Sequence, residues 1–203
     1  FRGVPLAELT TERRIVRAGR RIQVSDVDLF SDGVQVARAT ALSVRIGDQP
    51  FAIDEAADQR ARPRPLPPPG TGQDIHHPDE FQPPGFVQSV DGERLEGRHG
   101  SGVPASGWFR WRCPVVRGEA NSPLVDVACC ADFASGWGSY LDFSRQASIN
   151  ADLTIYLLRH PRSEWVGLDA SYRADPQGVA IGTAHLHDLD GPIGQVLTGG
   201  LLV

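Results

Sequence analysis

The sequence predicts an α+β protein in which antiparallel sheet wraps around a central helix, and in which this unit occurs twice. Three observations carry that expectation. A strand–turn–strand passage near the start recurs near the end. One well-capped helix of small residues lies between strand signals. A proline-dense stretch separates the two halves.

Composition sets the limits first. The chain has 203 residues, 40% of them hydrophobic and 22% charged, with a net charge of −5. That is enough apolar material for one large or two small cores. A mildly acidic balance lacks the basic footprint of a nucleic-acid binder. No apolar run approaches the ~18 residues of a membrane span, and no charged-then-apolar leader opens the chain. All 20 basic residues are Arg, and Met is absent even at position 1, so further residues are expected before Phe1. Cys113, Cys129 and Cys130 form no Cys-x-x-Cys pair, which predicts reduced thiols and a cytoplasmic protein.

Residues 1–48 read as strands. Ile22 and Val24, then Val27 and Leu29, alternate with polar residues, and we take them as one apolar face. Asp32-Gly33 suits a hairpin turn, with a return strand over Val34–Val44. Residues 49–84, with Arg62-Pro-Arg-Pro-Leu-Pro-Pro-Pro-Gly70 at their centre, read as a surface linker with little regular structure. His76-His77 lies there without the further ligands of a zinc set, and no metal site is predicted.

Residues 85–203 read as the complete second unit. Strand signals occupy 107–116 and 152–158. Between them, Ser122 is an N-cap and Pro123 the first helical residue. Leu124, Val127, Ala128 and Ala131 form a small apolar stripe, and Gly136 and Gly138 end the helix. Strands follow over 178–187 and 192–203, joined at Asp190-Gly191. Laid over each other without a gap, 32–45 and 190–203 bring Asp, Gly and Thr into coincidence, with Thr40 on Thr198. The first copy shows only the later strands, so its helix is expected outside this stretch of chain. Within 107–116, alternation places Trp108 with Arg110 and Arg112 on one face, and Phe109 with Trp111 on the other.

Several short motifs occur together: Ala131-Asp132-Phe133 at the helix end, Ile149-Asn150 with Asp152-Leu153-Thr154 and Arg159, Glu164-Trp165-Val166-Gly167-Leu168-Asp169-Ala170, and Asp190-Gly191-Pro192-Ile193-Gly194. As a set they resemble the acyl-CoA thioesterase II family, closely over 120–203 and more loosely over 1–46. The resemblance implies a double-hotdog fold and hydrolysis of fatty acyl-CoA to free acid and CoA, in lipid metabolism, without a cofactor. It implies acyl-CoA as substrate, and it is compatible with a homodimer or higher oligomer.

The family's catalytic set is an Asp at the helix end, a Ser or Thr on the next strand and a Gln on the last. Carried over, Asp132 matches the Asp as the group that orients or deprotonates water. The hydroxyl position falls at or near Asn150, and the Gln position at Thr198 or Gly199. Gln195 is near in sequence. Gly136, Trp137 and Gly199 are the residues expected to contact substrate. Arginines 110 and 112 could contact CoA phosphates or pack their stems outside the strand. Cys129 and Cys130 read as packing residues, since no His partners them. The departures at Asn150 and Thr198 keep a second reading open, a non-catalytic acyl-CoA- or lipid-binding hotdog protein. A hotdog hydratase would want an Asp–His pair on the helix, and no His follows Asp132 closely.

Overall fold

The structure is a computed structural model that describes residues 3–47, 52–76, 85–97, 103–142 and 145–203. The chain forms two compact units, Phe1–Glu55 and Ala56–Val203. His77 and the Pro83-Pro84 pair lie outside the described residues.

The first unit is a three-stranded antiparallel sheet of β1 (Thr10–Ala18), β2 (Ile22–Ser31) and β3 (Val34–Val44), in that order. Asp32 and Gly33 make the turn between β2 and β3 with φ of 49° and 74°, the positive pair that a two-residue hairpin requires. Cross-strand polar pairs stitch one face. Arg14 and Thr40 both donate to the Asp26 carboxylate at 2.8 Å, and Arg38 donates to Asp28. The hydrogen bond from Arg14 holds the Asp26 carboxyl below its ordinary range. The four apolar residues of β2 do not share a face. The three-residue step from Val24 to Val27 puts Ile22 and Val24 beside Asp26 and Asp28, and Val27 and Leu29 on the other side. No helix precedes Glu55 among the described residues.

The second unit holds α1 (Glu55–Ala61), β4 (Gln73–Asp74), β5 (Val90–Glu96), β6 (Ala105–Trp111), α2 (Pro123–Ala131), α3 (Phe133–Trp137), β7 (Ser148–Leu157), β8 (Trp165–Ala174), β9 (Val179–Asp188) and β10 (Gly191–Leu202). Its seven-stranded sheet has the order β4-β5-β6-β8-β9-β10-β7, every neighbouring pair antiparallel. After β6 the chain passes through the helices, lays β7 along the far edge, and returns to the middle with β8. The path therefore wraps the sheet around α2 and α3.

The helix begins as its sequence predicts, with the Ser122 hydroxyl accepting from the Val125 N–H and Pro123 following. It does not run through to Gly136. It breaks at Asp132 and resumes as α3. The buried stripe also differs from the expected one. Val127, Cys130, Ala131 and Ala134 face the sheet at i, i+3, i+4 and i+7, while Leu124 and Ala128 are exposed. Leu124 lies in the first turn, and Ala128 is ~100° away from Val127 around the helix.

The core under the helix comprises Phe109, Val166, Leu168, Leu186, Ile193 and Val196, all fully buried. Each large side chain of this kind contributes roughly 1.5–3 kcal/mol by burial. Phe109 stacks on Phe133 at 4.8 Å and meets Trp137 edge-on at 4.7 Å. The expected alternation of β6 holds: Phe109 and Trp111 face this core and Trp108 faces the other side.

The two hairpins share one ladder, but not at the overlay taken from the sequence. The pairs Ile22–Val44 and Leu29–Ala37 recur as Val179–Leu201 and Leu186–Gly194. Each ladder then skips one buried residue on the returning strand, Val36 or Ile193. In this register the Asp32-Gly33 turn corresponds to Leu189-Asp190, one residue before the Asp190-Gly191 taken from sequence. Matching the two Asp-Gly pairs caused the slip.

Much of the proline-rich stretch packs on the face of the sheet opposite the helices. Arg64 donates to both oxygens of Asp169 at 2.8 and 2.9 Å, and also to Glu96. The Trp108 indole N–H donates to the Pro67 carbonyl at 2.7 Å. The Glu93 carboxylate accepts from the N–H groups of Gly70 and Gly72. Proline supplies no donors, so its carbonyls and the glycine amides after it make these attachments. Beneath the stretch, Leu66, Trp108 and His187 crowd over Gly167, where a methyl group would come within 3.0 Å of all three.

Two stability predictions follow from this packing. His187 is 1% exposed, and burial pushes its pKa down to about 4. The folded state favours the neutral ring, so this contribution is complete above pH ~6.5 and is lost as pH falls from there to about 4, by at most ~1.4 kcal/mol per pH unit. Urea melts at pH 7 and pH 4.5 will show a smaller acid loss in His187→Leu than in the unmodified protein. Arg159 donates to both oxygens of Asp188, whose side chain is 1% exposed. Arg159→Ala removes the charge partner of that buried carboxylate and leaves it only the N–H groups of Arg162 and Asp190, and should cost about 3 kcal/mol in the same assay at pH 7.

Candidate functional site at the helix break

Asp132 joins α2 to α3 and is exposed. Its backbone is still helical, with φ −65° and ψ −23°, and its side chain makes no capping bond to α3. The carboxylate is instead held from the sheet. The Asn150 side-chain amide on β7 donates to Asp132 Oδ1 at 2.7 Å. A bulge sets up this reach. Gly199 pairs with Asp152 and Gly200 with Asn150, which leaves Ala151 unpaired. Asp152 fixes the bulge by accepting the Gly199 N–H at 2.7 Å.

Thr198 occupies a different layer. It is 2% exposed, and its hydroxyl donates to the Gly182 carbonyl at 3.5 Å. Among the described residues no hydrogen bond joins it to Asp132 or Asn150. Gln195 faces away from the helices, where its amide meets His185 Nδ1 at 3.3 Å. The three-residue spacing from Gln195 to Thr198 puts them on opposite faces.

The expected contact residues divide as well. Gly136 is half-buried, and a methyl group there would meet nothing within 4 Å. Gly199 lies at the bulge. Trp137 is a core ring, set against Phe109, under the Arg94 guanidinium at 3.7 Å, and in the space where Gly107 lacks a side chain.

Sequence reasoning passed over Ser135. It sits one turn beyond Asp132 on α3, half-buried, with its hydroxyl donating to the Asp132 carbonyl at 3.3 Å. Its Cα lies 2.9 Å from where Gly182 would carry a Cβ, and Thr198 Oγ1 lies 2.6 Å from the same point. Gly182 thus lets α3 rest directly on β9. Nearby, the Ser148 and Tyr172 hydroxyls pair at 2.9 Å beside Gly200. The signal available in sequence was the i, i+3 spacing of Asp132 and Ser135.

Other candidates have structural partners. Arg110 pairs with Asp91 and Glu164, and Arg112 lies 3.5 Å from Asp91. The three cysteines are free thiols, and burial pushes the pKa of Cys129 and Cys130 upward, away from thiolate. Among the described residues no three His, Cys, Asp or Glu side chains gather as a metal site. Two clefts of about 500 and 440 Å³ involve the face opposite the helices, the first between the prolines and His187 and the second around Asp169, Thr183 and His185. Asp132 lines neither.

Exposed Asp132, with one oxygen anchored by an amide and a serine hydroxyl one turn away, can hold and polarise a water molecule.

Comparison with solved structures places the fold. An acyl-CoA thioesterase II, TesB2, from Mycobacterium marinum superposes with a TM-score of 0.65 at 17% identity, covering 95% of this chain and 73% of that one. A protein assigned as a thioesterase II from Thermobifida fusca gives 0.71 at 17% identity, over 96% and 74%. A hot-dog-fold protein of unknown function from Alicyclobacillus acidocaldarius gives 0.64 at 16% identity, over 96% and 72%. The architecture is thus the double hotdog expected from sequence. No curated protein sequence matches the chain. Residues 55–197, more than half of the chain, match the family described as the acyl-CoA thioesterase C-terminal domain. The chain belongs to the acyl-CoA thioesterase family.

Proposed function

We propose that this protein hydrolyses fatty acyl-CoA thioesters with a water molecule oriented by Asp132. Family membership supports thioester hydrolysis in general. The hydrogen bond from Asn150 to Asp132 is the observation that carries the specific reading. It fixes one carboxylate oxygen of an exposed residue, and a water could give up a proton to that carboxylate. Water attacks the thioester carbon, its proton passes to the carboxylate, the C–S bond breaks, and the CoA thiolate takes up that proton. The substrate is acyl-CoA and the setting cytoplasmic lipid metabolism. No helix among the described residues is long and apolar enough to cross a membrane.

One observation favours a second reading, a binding protein without turnover. The family's Gln position falls at Thr198 or Gly199, neither of them Gln, and the Thr198 hydroxyl is buried against Gly182.

Turnover and binding in one variant separate the two. The unmodified protein should release CoA from medium or long acyl-CoA. Asp132→Asn should keep its melting temperature and its acyl-CoA affinity by calorimetry, and lose about 10²–10⁴-fold in kcat. Saturable binding without turnover in the unmodified protein would establish the second reading. Equal turnover in both proteins would move the chemistry away from Asp132.

A further inference from the structure

We infer that Ser135 supplies the hydroxyl of this site, in the role that the residues at the strand positions no longer fill. The inference rests on the hydrolytic reading above and names a further residue for it. An attacking water needs two acceptors for its hydrogens if a lone pair is to point at the thioester carbon. Asp132 provides one. Asn150 gives its amide N–H to Asp132 Oδ1 at 2.7 Å, which orients the carboxylate but supplies no hydroxyl, and Thr198 is 2% exposed with its hydroxyl directed at the Gly182 carbonyl. Ser135 is the half-buried hydroxyl one turn from the carboxylate.

It lies one helical turn from Asp132, so both side chains project from the same side of α3. Its O–H already donates to the Asp132 carbonyl at 3.3 Å. That bond occupies the hydroxyl proton and leaves the oxygen lone pairs as acceptors. The water would then give one hydrogen bond to the Asp132 carboxylate and the other to Ser135 Oγ. Only the carboxylate removes a proton, and Ser135 remains neutral throughout, so proton balance is that of simple hydrolysis.

The backbone around Ser135 fixes its place. Its Cα is 2.9 Å from the point where Gly182 would carry a Cβ, so a side chain at Gly182 would lift α3 away from β9.

The test compares two hydroxyl deletions on the intact chain with palmitoyl-CoA and octanoyl-CoA as probes. Ser135→Ala should lower kcat about 10²-fold with KM within about twofold of the unmodified value. Ser171→Ala, on the face of the sheet away from the helices where its hydroxyl pairs with Thr183, should change kcat by less than about threefold. If Ser135→Ala lowers the melting temperature, Ser135→Cys is read instead, because it keeps the volume and replaces oxygen with a poor acceptor. An unchanged kcat in the Ser135 variant overturns the inference and leaves Asp132 hydrolysis standing. An equal loss in Ser171→Ala overturns it too, because a general effect of hydroxyl deletion rather than the Ser135 hydroxyl would then explain both. Absence of turnover in the unmodified protein, with binding intact, overturns the hydrolytic reading and this inference together.

Discussion

The close approach of α3 to the sheet governs the second unit. It depends on the absence of side chains at a few points. A methyl group at Gly182 would meet Ser135 Cα at 2.9 Å, and one at Gly138 would meet the backbone of Ala170 and Ser171 at 2.8 Å. Both neighbours are backbone atoms of packed elements, so neither can yield cheaply. Ala131 and Ala134 complete the same contact from the helix side. The chain turns at Asp132, and that turn leaves a carboxylate exposed at the sheet edge, within reach of β7. Packing of the smallest residues thus places the charge.

Where a local signal and the tertiary requirement agreed, the sequence was a sufficient guide. Ser122-Pro123 opened the helix, Asp32-Gly33 closed the first hairpin, and alternation sorted Trp108 from Phe109. Three strands were not legible. β1 is Thr10-Thr-Glu-Arg-Arg-Ile-Val-Arg-Ala18, exposed along its whole length, with no apolar periodicity to detect. β5 carries Asp91, Glu93 and Arg94, whose partners come from elsewhere in the chain. β8 packs on both faces, so its apolar residues do not alternate. The proline-rich stretch misled for a related reason. Its composition argues against regular structure, which the short α1 and β4 respect, but not against docking. Arg64, Pro67 and Gly70 attach through single polar groups with no periodic pattern.

At the site, motif order was legible and side-chain direction was not. Asp132 and Asn150 were picked out from sequence, and they meet. Thr198 was picked out from the same alignment, and it lies beneath the surface that Asp132 occupies. A one-dimensional match fixes which strand a residue belongs to. It does not show how the Gly199–Gly200 bulge turns the neighbouring strand, nor that the hydroxyl at Ser135 stands one turn along a second, separate helix.

The shared ladder shows where the two hairpins differ. In the common register, Ala180, Gly182 and Thr198 of the second unit correspond to Gln23, Ser25 and Ala41 of the first. The face that accepts a helix in the second unit is lined by the smaller set at its centre. On the reverse face, Thr183, His185 and Gln195 correspond to Asp26, Asp28 and Arg38. There the second unit replaces ion pairs with neutral hydrogen bonds, Ser171 to Thr183 and Gln195 to His185. Ion pairs on an exposed face contribute little to stability, because solvent screens them. They do tolerate a face that nothing else must cover. The first hairpin has kept the ladder and its buried bulge residue Val36, which are what a twisted antiparallel hairpin needs to persist. The second has, in addition, no side-chain volume at Gly182, one of the points at which α3 rests on the sheet.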